Sequence, residues 1–556
     1  MAHVKKELFT GRNILILLFL VFIFLRLFTS QSSILLTSDE LKFFEVAKNF
    51  PRHTLYNNQL YLLHPPFYPY VIYFFNQVFQ DYYKAAVFIS IISSIITFFV
   101  LYNLFMMITK NFNITYFVLV FFSLSVGFII ASNSPLRESF VFMLISSSIY
   151  YYVGGAKFDN AKSIVFATII GSILALTSDF VVFLLPSLAL SYIFFNSKGI
   201  NIKRLILPNF LRIAVPLAII LLVYGSWTFV KYSQYSGSEY YPNGFEGVPV
   251  NTKDLGILQA ISNRAFDDFE GTYIAPGILS DIKRLAFNAG YMFNLQPFSI
   301  PQGLNFTTMK YLLFPRHIVY MLIIYLPLAL LALYSLAVII KDFIKKKRIH
   351  NNVEVYSILM LFVFASQVVQ KYTSPRYILL SYVFLFYILS YGFFRLAEKK
   401  KINVRKQVVP AISVLLLLII PFWYANNSNF IFFSKTTVSS QKTGDFINAN
   451  IPKEANLMVQ PGYTVKLIYL TENKIVGLHH DPEQLGRLIG IYNISYIVTG
   501  DFFTEVRGLS RDTVRYIEDN PGKFELIAAI NEDYSGFYDE QDPHSTDNLY
   551  IYKVKT

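Results

Sequence analysis

The sequence predicts a polytopic α-helical membrane protein that ends in a small soluble α/β domain. Three observations predict this class. Hydrophobic residues make up 54% of the 556 and charged residues only 15%, against roughly 25% charged in a soluble globule. Apolar runs of roughly 20 residues recur, each long enough to cross a bilayer core. Basic residues gather in the short loops between these runs, the pattern of cytoplasmic loops. The net charge of +13 therefore does not point to nucleic acid, because the basic residues do not share one soluble face. The chain has no cysteine, which excludes disulfides, thiolate metal sites and cysteine nucleophiles.

Lys5, Lys6 and Arg12 precede the first apolar run, 13–28, and place the N-terminus in the cytoplasm. No small-residue cleavage site follows, so the run reads as an uncleaved span, with Arg26 near its outer end snorkelling to the headgroups. Further spans are read at 84–108, 114–131, 139–153, 163–176, 180–195, 205–230, 318–340, 355–369, 378–394 and 408–424. This gives about eleven spans of a multi-pass cell-membrane protein and puts the C-terminus outside. Residues 1–425 form the membrane domain and 426–556 the extracytoplasmic domain.

Two outer loops stand out, 30–83 and the Gly-, Pro- and Asn-rich 231–311. In the first, Leu41, Phe44, Val46, Ala47 and Phe50 alternate with Lys42, Glu45 and Lys48. That spacing suits a helix lying at the membrane interface. His64-Pro65-Pro66 stops it, and 67–79 reads as a second interfacial helix. In the tail, strands at 457–459, 474–478, 496–499 and 524–527 alternate with helical patterns at 443–450, 464–470, 482–492 and 510–519. Such alternation predicts a largely parallel sheet. Asn-X-Ser/Thr triplets at Asn305, Asn426 and Asn493 all fall on the outer side.

The chemistry-bearing residues sit at outer ends of spans. Asp39-Glu40 follows the first span. Ser38 or Asp39 there serves as a helix cap, but carboxylates at a membrane edge in so charge-poor a chain are also candidates for function. Asp39 is placed to act as a general base, with Glu40 beside it. Arg137-Glu138 opens a later span; the pair either caps that span or has Arg137 gripping a phosphate, for which a guanidinium is geometrically suited, with Glu138 facing the Asp39 site. His64, with His53, is a loop histidine or a sugar or metal contact. Arg316-His317, Lys371 and Arg376 are interfacial snorkellers or a cationic pocket for a lipid phosphate. Asp179 is assigned no role. No phosphate-binding loop occurs.

The order of these features resembles the GT-C glycosyltransferases, with protein O-mannosyltransferases and the lipid A aminoarabinose transferase the nearest in pattern. The resemblance covers the chain to about Tyr424. It implies that Asp39 is the catalytic carboxylate, that Lys84 stands where relatives commonly have Arg at the second span, that Glu138 stands where they have an acid opening a later span, and that Pro375-Arg376-Tyr377 matches an Arg-Tyr of a late outer loop. It further implies a polyprenyl-phosphate-linked sugar as donor, a protein, lipid or glycan acceptor, and inverting displacement on the outer face. Lys84, Arg137, Arg316 and Arg376 would stabilise the departing lipid phosphate. Some relatives use a divalent metal; no other cofactor is implied. The competing classes are a lipid-linked-glycan ligase or polymerase, which would carry its key charges in a late outer loop, and a lipid flippase or transporter, for which internal repeats are expected and none is found.

Overall fold

The computed structural model describes residues 11–29, 33–36, 38–56, 59–60, 64–196, 207–235, 241–242, 249–250, 326–346, 351–365, 375–404, 408–426, 429–502, 504, 510–534 and 546–555. The chain divides into two compact units. One comprises Met1–Ser30, Ala86–Tyr224 and Pro276–Phe432, the other Gln31–Ala85, Gly225–Ala275 and Phe433–Thr556.

In chain order the helices before the tail are α1 (Gly11–Leu27), α2 (Ser38–Lys48), α3 (Phe67–Phe79), α4 (Tyr82–Thr109), α5 (Phe112–Leu124), α6 (Val126–Asn133), α7 (Glu138–Phe158), α8 (Ala161–Ala175), α9 (Val181–Phe195), α10 (Leu207–Tyr235), α11 (Leu326–Lys346), α12 (Val353–Ala365), α13 (Pro375–Lys399) and α14 (Val409–Asn426). Each apolar run read as a span coincides with one of these helices over its described part, or, for 114–131, with the pair α5 and α6. Among the described residues, α4, α7 and residues 211–230 of α10 are long and apolar enough to cross a bilayer, and the bent α5–α6 pair would be a fourth. The chain is a membrane protein.

In the first unit, asparagine side chains cap α5 and α8, and left-handed Lys110 and Asp159 turn the chain just ahead of them. Asn111 accepts from the amides of Asn113 (3.0 Å) and Ile114 (3.3 Å) to open α5, and Asn160 accepts from Lys162 N (3.1 Å) to open α8, as helix-capping chemistry requires. The core is aromatic. Phe22 of α1 lies 4.9 Å from Phe98 and 5.7 Å from Phe122 between ring centroids. α13 packs along α5 through Phe117–Phe393 (5.0 Å) and Phe121–Phe386 (5.5 Å). Gly392 of α13 lets α11 come close, since a Cβ there would overlap Ser335; small residues admit such approach between membrane helices.

Two expectations are corrected in this unit. The run 114–131 is not one straight span: α5 and α6 meet at Ser125 with a bend of 60°. Arg26 does not snorkel. It is fully buried, and its guanidinium is held by Ser94 and by backbone carbonyls of Phe22, Phe122 and Ser123. A helix break frees carbonyls, and those acceptors hold the charge more locally than distant headgroups would.

In the second unit, β2 (Ser33–Leu36) pairs in parallel with β8 (Lys435–Val438), Ser33 opposite Lys435 and Leu36 opposite Val438. β3 (Thr54–Tyr56) and β4 (Gln59–Leu60) form a hairpin, as do β5 (Tyr241–Pro242) and β6 (Pro249–Val250). β1 (Phe28–Thr29) and β7 (Asn429–Phe430) pair within the first unit. The tail adds α15 (Gln441–Asn450), β9 (Asn456–Val459), α16 (Thr464–Leu470), β10 (Lys474–Gly477), α17 (Pro482–Tyr492), β11 (Ile494–Gly500), α18 (Arg511–Glu518), β12 (Phe524–Asp533) and β13 (Thr546–Val554). The sheet order is β10-β9-β11-β13-β12. β10, β9 and β11 run parallel, as the alternating pattern predicts, but β13 is antiparallel to both β11 and β12, so the sheet is mixed. Strands that follow one another directly along the chain can pair antiparallel without a crossover helix. Leu457, Val459, Ile475, Ile497, Val498, Leu549 and Ile551 form its core, joined by Val46 of α2.

That contact corrects the reading of α2 as an interfacial helix. Leu41, Phe44, Val46 and Ala47 are fully buried, and so nearly are Lys42 (3% exposed) and Glu40 (3%). An apolar stripe at helical spacing does not say whether lipid or protein covers it; here protein of the same unit does. α3 differs. It spans 13 residues, about 20 Å at 1.5 Å per residue, short of the ~30 Å bilayer core. Phe74 (60%) and Val78 (77%), one turn apart, are exposed, as an interfacial helix requires.

Candidate functional site

The second unit holds the Asp39-Glu40 pair. Asp39 is the second residue of α2, where the aligned peptide dipoles favour negative charge; its side chain lies outside the described residues. Glu40 and Lys42 are buried on the same turn. One turn later Glu45 pairs with Lys48 at 3.2 Å, and the Lys48 ammonium stands 3.6 Å over the Tyr469 ring. Burial pushes the Glu45 carboxyl up against the opposing pull of Lys48 and Asn49. Burial and the neighbouring charges of Glu45 and Asp81 push Tyr469 up to about 12. The far end of α2 is thus a charge-paired anchor, while the acidic pair sits at its start.

His64 stands at the entry to α3. Its ring stacks on Phe43 (5.4 Å), and its carbonyl lies 3.0 Å from His53 Nε2. The two histidines pin the entry to α3, whose fixed start owes to Pro65 and Pro66. His53 packs edge-on against Tyr70 (5.9 Å) and Trp227 (5.5 Å). Lys84 stands in the first turn of α4, its ammonium 3.6 Å from Asp81 Oδ2, while Asp81 Oδ1 accepts from Lys84 N at 3.1 Å to cap the helix. Asp81 was not singled out from the sequence; an Asp three residues ahead of a lysine at a helix start was the available signal.

In the first unit, Glu138 is the first residue of α7 and Arg137 its N-cap position. Arg137 is buried (8% exposed) and donates from Nη1 to Thr177 O at 3.1 Å. The turn 134–137 is thereby tied to the connection between α8 and α9. On that connection Asp179 accepts from Tyr224 Oη of α10 at 3.2 Å, a partly buried polar contact. Arg316, His317 and Lys371 lie outside the described residues. Arg376 opens α13 as its second residue, with its side chain outside them. Among the described residues no group of three or more His, Asp or Glu stands where it would hold a metal ion.

The tail contributes one buried acid. Asp547 of β13 accepts from the Tyr463 hydroxyl and, at 3.0 Å, from Phe502 N. Burial raises its carboxyl from 3.8 to about 6, although those two bonds and Lys466 favour the charged form. A folded-state value above the unfolded one means the native state holds the proton more tightly. The resulting stability is complete below pH 3.8 and is lost as pH rises through about 6. A shift of this size corresponds to about 2–3 kcal/mol. Asp547→Asn is expected to flatten the pH 4–7 slope of denaturant midpoints measured on the whole chain; an unaltered slope would show that Asp547 does not carry it.

No family model matches the sequence, and no curated protein does. Solved structures do. The crystal structure of ArnT from Cupriavidus metallidurans in the apo state aligns over 99% of this chain and 98% of that one, with a TM-score of 0.52 at 10% identity. The structure of ArnT from the same organism bound to undecaprenyl phosphate aligns over 97% of each chain, with a TM-score of 0.39 at 11% identity. The aminoarabinose-transferase resemblance read from the order of spans, Asp-Glu and His-Pro-Pro is thus borne out at the level of fold in the apo comparison: this chain has the fold of ArnT.

Proposed function

We propose that the chain is a membrane glycosyltransferase that moves a sugar from a polyprenyl-phosphate carrier to a protein, lipid or glycan acceptor on the outer face. The observation that carries this reading is the acidic pair on the first turn of α2, in the segment that follows the first membrane helix of a chain with this fold. Asp39 takes the proton of the acceptor hydroxyl or amine. The acceptor atom then bonds to the anomeric carbon as the bond from that carbon to the phosphate oxygen breaks, and the lipid phosphate leaves with the electron pair. A single displacement of this kind inverts the anomeric centre. Glu40 supports the base from the same turn.

Lys84 stabilises the charge that grows on the departing phosphate. Arg137 and Glu138 are assigned to the same reaction by resemblance, as are Arg316 and Arg376; His317 and Lys371 join the cationic pocket by their place at outer ends of spans. The fold supports the transferase class; the exposed apolar face of α3 and the apolar spans suit a lipid-borne substrate. The test is mass spectrometry of surface glycoproteins and lipids from cells with and without the gene. A glycan or sugar-modified lipid that disappears with the gene supports the reading, and unchanged profiles of both contradict it.

A further inference from the structure

We propose that Arg26, together with Ser90, Ser94 and Ser132, is a positioning cluster that sets the placement of the Arg137–Glu138 turn. The proposal rests on the function proposed above and adds residues to which that function gave no role.

The break between α5 and α6 is where the cluster acts. Ser125 is extended there (φ −65°, ψ 120°). Phe121 O still receives Ser125 N (2.9 Å), and Ser125 O receives Ile129 N (3.0 Å). The carbonyls of Phe122 and Ser123 would be bonded by residues 126 and 127 in a continuous helix. Here they accept from Arg26 instead, Phe122 O from Nη2 at 3.3 Å and Ser123 O from Nη1 at 3.1 Å. Arg26 Nη1 also reaches Phe22 O of its own helix (3.2 Å), and Nε reaches Ser94 Oγ of α4 (3.1 Å). The guanidinium lies 3.6 Å over the Phe22 ring. Among the described residues no carboxylate pairs with it. A buried charge is costly in a membrane interior, and a planar fork that meets two adjacent carbonyls and a hydroxyl at once is what offsets that cost.

The same cluster reaches the turn. Ser132 Oγ lies 2.9 Å from Ser94 Oγ. Ser90 Oγ, one turn earlier on α4, donates to Leu136 O at 3.2 Å. Ser90 and Ser94 are buried on α4 together with Ser93 and Thr97, a polar stripe in an otherwise apolar span. The segment that delivers Arg137 and Glu138 is therefore fixed at its start by Ser94, in its middle by Ser90 and at its end by Thr177. Arg26 sets the angle at which α6 enters it.

The experiment uses the whole chain in lipid nanodiscs, with undecaprenyl-phosphate-linked sugars as donors and a cell-envelope fraction as acceptor. Arg26→Met is expected to lower kcat for polyprenyl phosphate release at least tenfold while the donor KM stays within about twofold. Arg26→Lys is expected not to restore it, because one ammonium does not span both carbonyls. Ser90→Ala is expected to lower kcat about threefold. The chain has no native cysteine, so a nitroxide on Pro135→Cys reports the turn alone. Arg26→Met is expected to add a mobile component to that spectrum and none to a label on Asn103→Cys, further along α4. A folded Arg26→Met variant with unchanged kcat, or with an unchanged Pro135→Cys spectrum, overturns the proposal. Should Arg26→Met fail to fold, Ser90→Ala and Ser132→Ala decide on the same two readouts. A wild-type chain that releases no polyprenyl phosphate removes the proposed function, whereas the spectra need no substrate and still decide the cluster.

Discussion

Asp39→Asn is expected to lower sugar transfer about 10³-fold with the protein folded and the donor still bound. General-base catalysis contributes about 10²–10⁴-fold, and Asn keeps the shape of Asp while removing the charge that accepts the proton. The substitution sits on the first turn of α2, where a change of one polar residue costs about 1 kcal/mol of helix stability or less. α2 is anchored elsewhere: by the buried Phe44, Val46 and Ala47 and by Lys48 over Tyr469. The measurements are initial rates of transfer beside donor-lipid binding and thermal unfolding of the same preparation. Activity within tenfold of wild type, with binding and unfolding unchanged, would remove Asp39 as the base.

Lys84→Met is expected to lower kcat/KM about 10²-fold, the scale for deleting one group that meets developing charge. A cation in the first turn of a helix opposes the helix dipole, so Lys84 is placed against its own local preference. Asp81 offsets that at 3.6 Å and caps α4 at the same time. The pair is about a third exposed on both sides and is weak by that measure, which leaves the ammonium available to a phosphate. Lys84→Arg is therefore expected to stay within about tenfold of wild type, since a guanidinium serves the same anion. Asp81→Asn is expected to spare turnover and cost only helix-cap stability. Steady-state kinetics of the three variants check this, and a Lys84→Met variant with wild-type kcat/KM would place the ammonium outside the reaction.

Much of the helical layout was legible because a membrane span is long, apolar and periodic. Runs such as 84–108 and 139–153 announce α4 and α7 without any tertiary knowledge. The acidic pair on α2 and the His-Pro-Pro entry to α3 were legible for a different reason: proline and helix-start chemistry act within a few residues. What escaped depends on distant partners. Four-residue β2 carries no periodic signal, and it pairs with β8 some four hundred positions away. Arg26 reads as a snorkeller because its acceptors arise from a break in another helix. Ser125 gave little warning of that break, since serine is tolerated in spans when its neighbours satisfy the backbone. The stripe on α2 was read correctly as a helix and wrongly as facing lipid, because periodicity names a covered face without naming the cover. The antiparallel position of β13 was hidden for a similar reason: strand spacing gives the order of elements along the chain, not their order across the sheet.

The central claim is that the polyprenyl-phosphate bond of a lipid-borne sugar is broken on this chain with Asp39 as base. The most direct measurement incubates the purified chain in nanodiscs with a panel of undecaprenyl-phosphate-linked sugars and a cell-envelope acceptor fraction, and follows free undecaprenyl phosphate by mass spectrometry. The account predicts release from at least one donor, dependent on acceptor, with the sugar recovered in inverted configuration and release lost in Asp39→Asn. Release that is equal in Asp39→Asn, or movement of every donor across the bilayer with its phosphate–sugar bond intact, would contradict it.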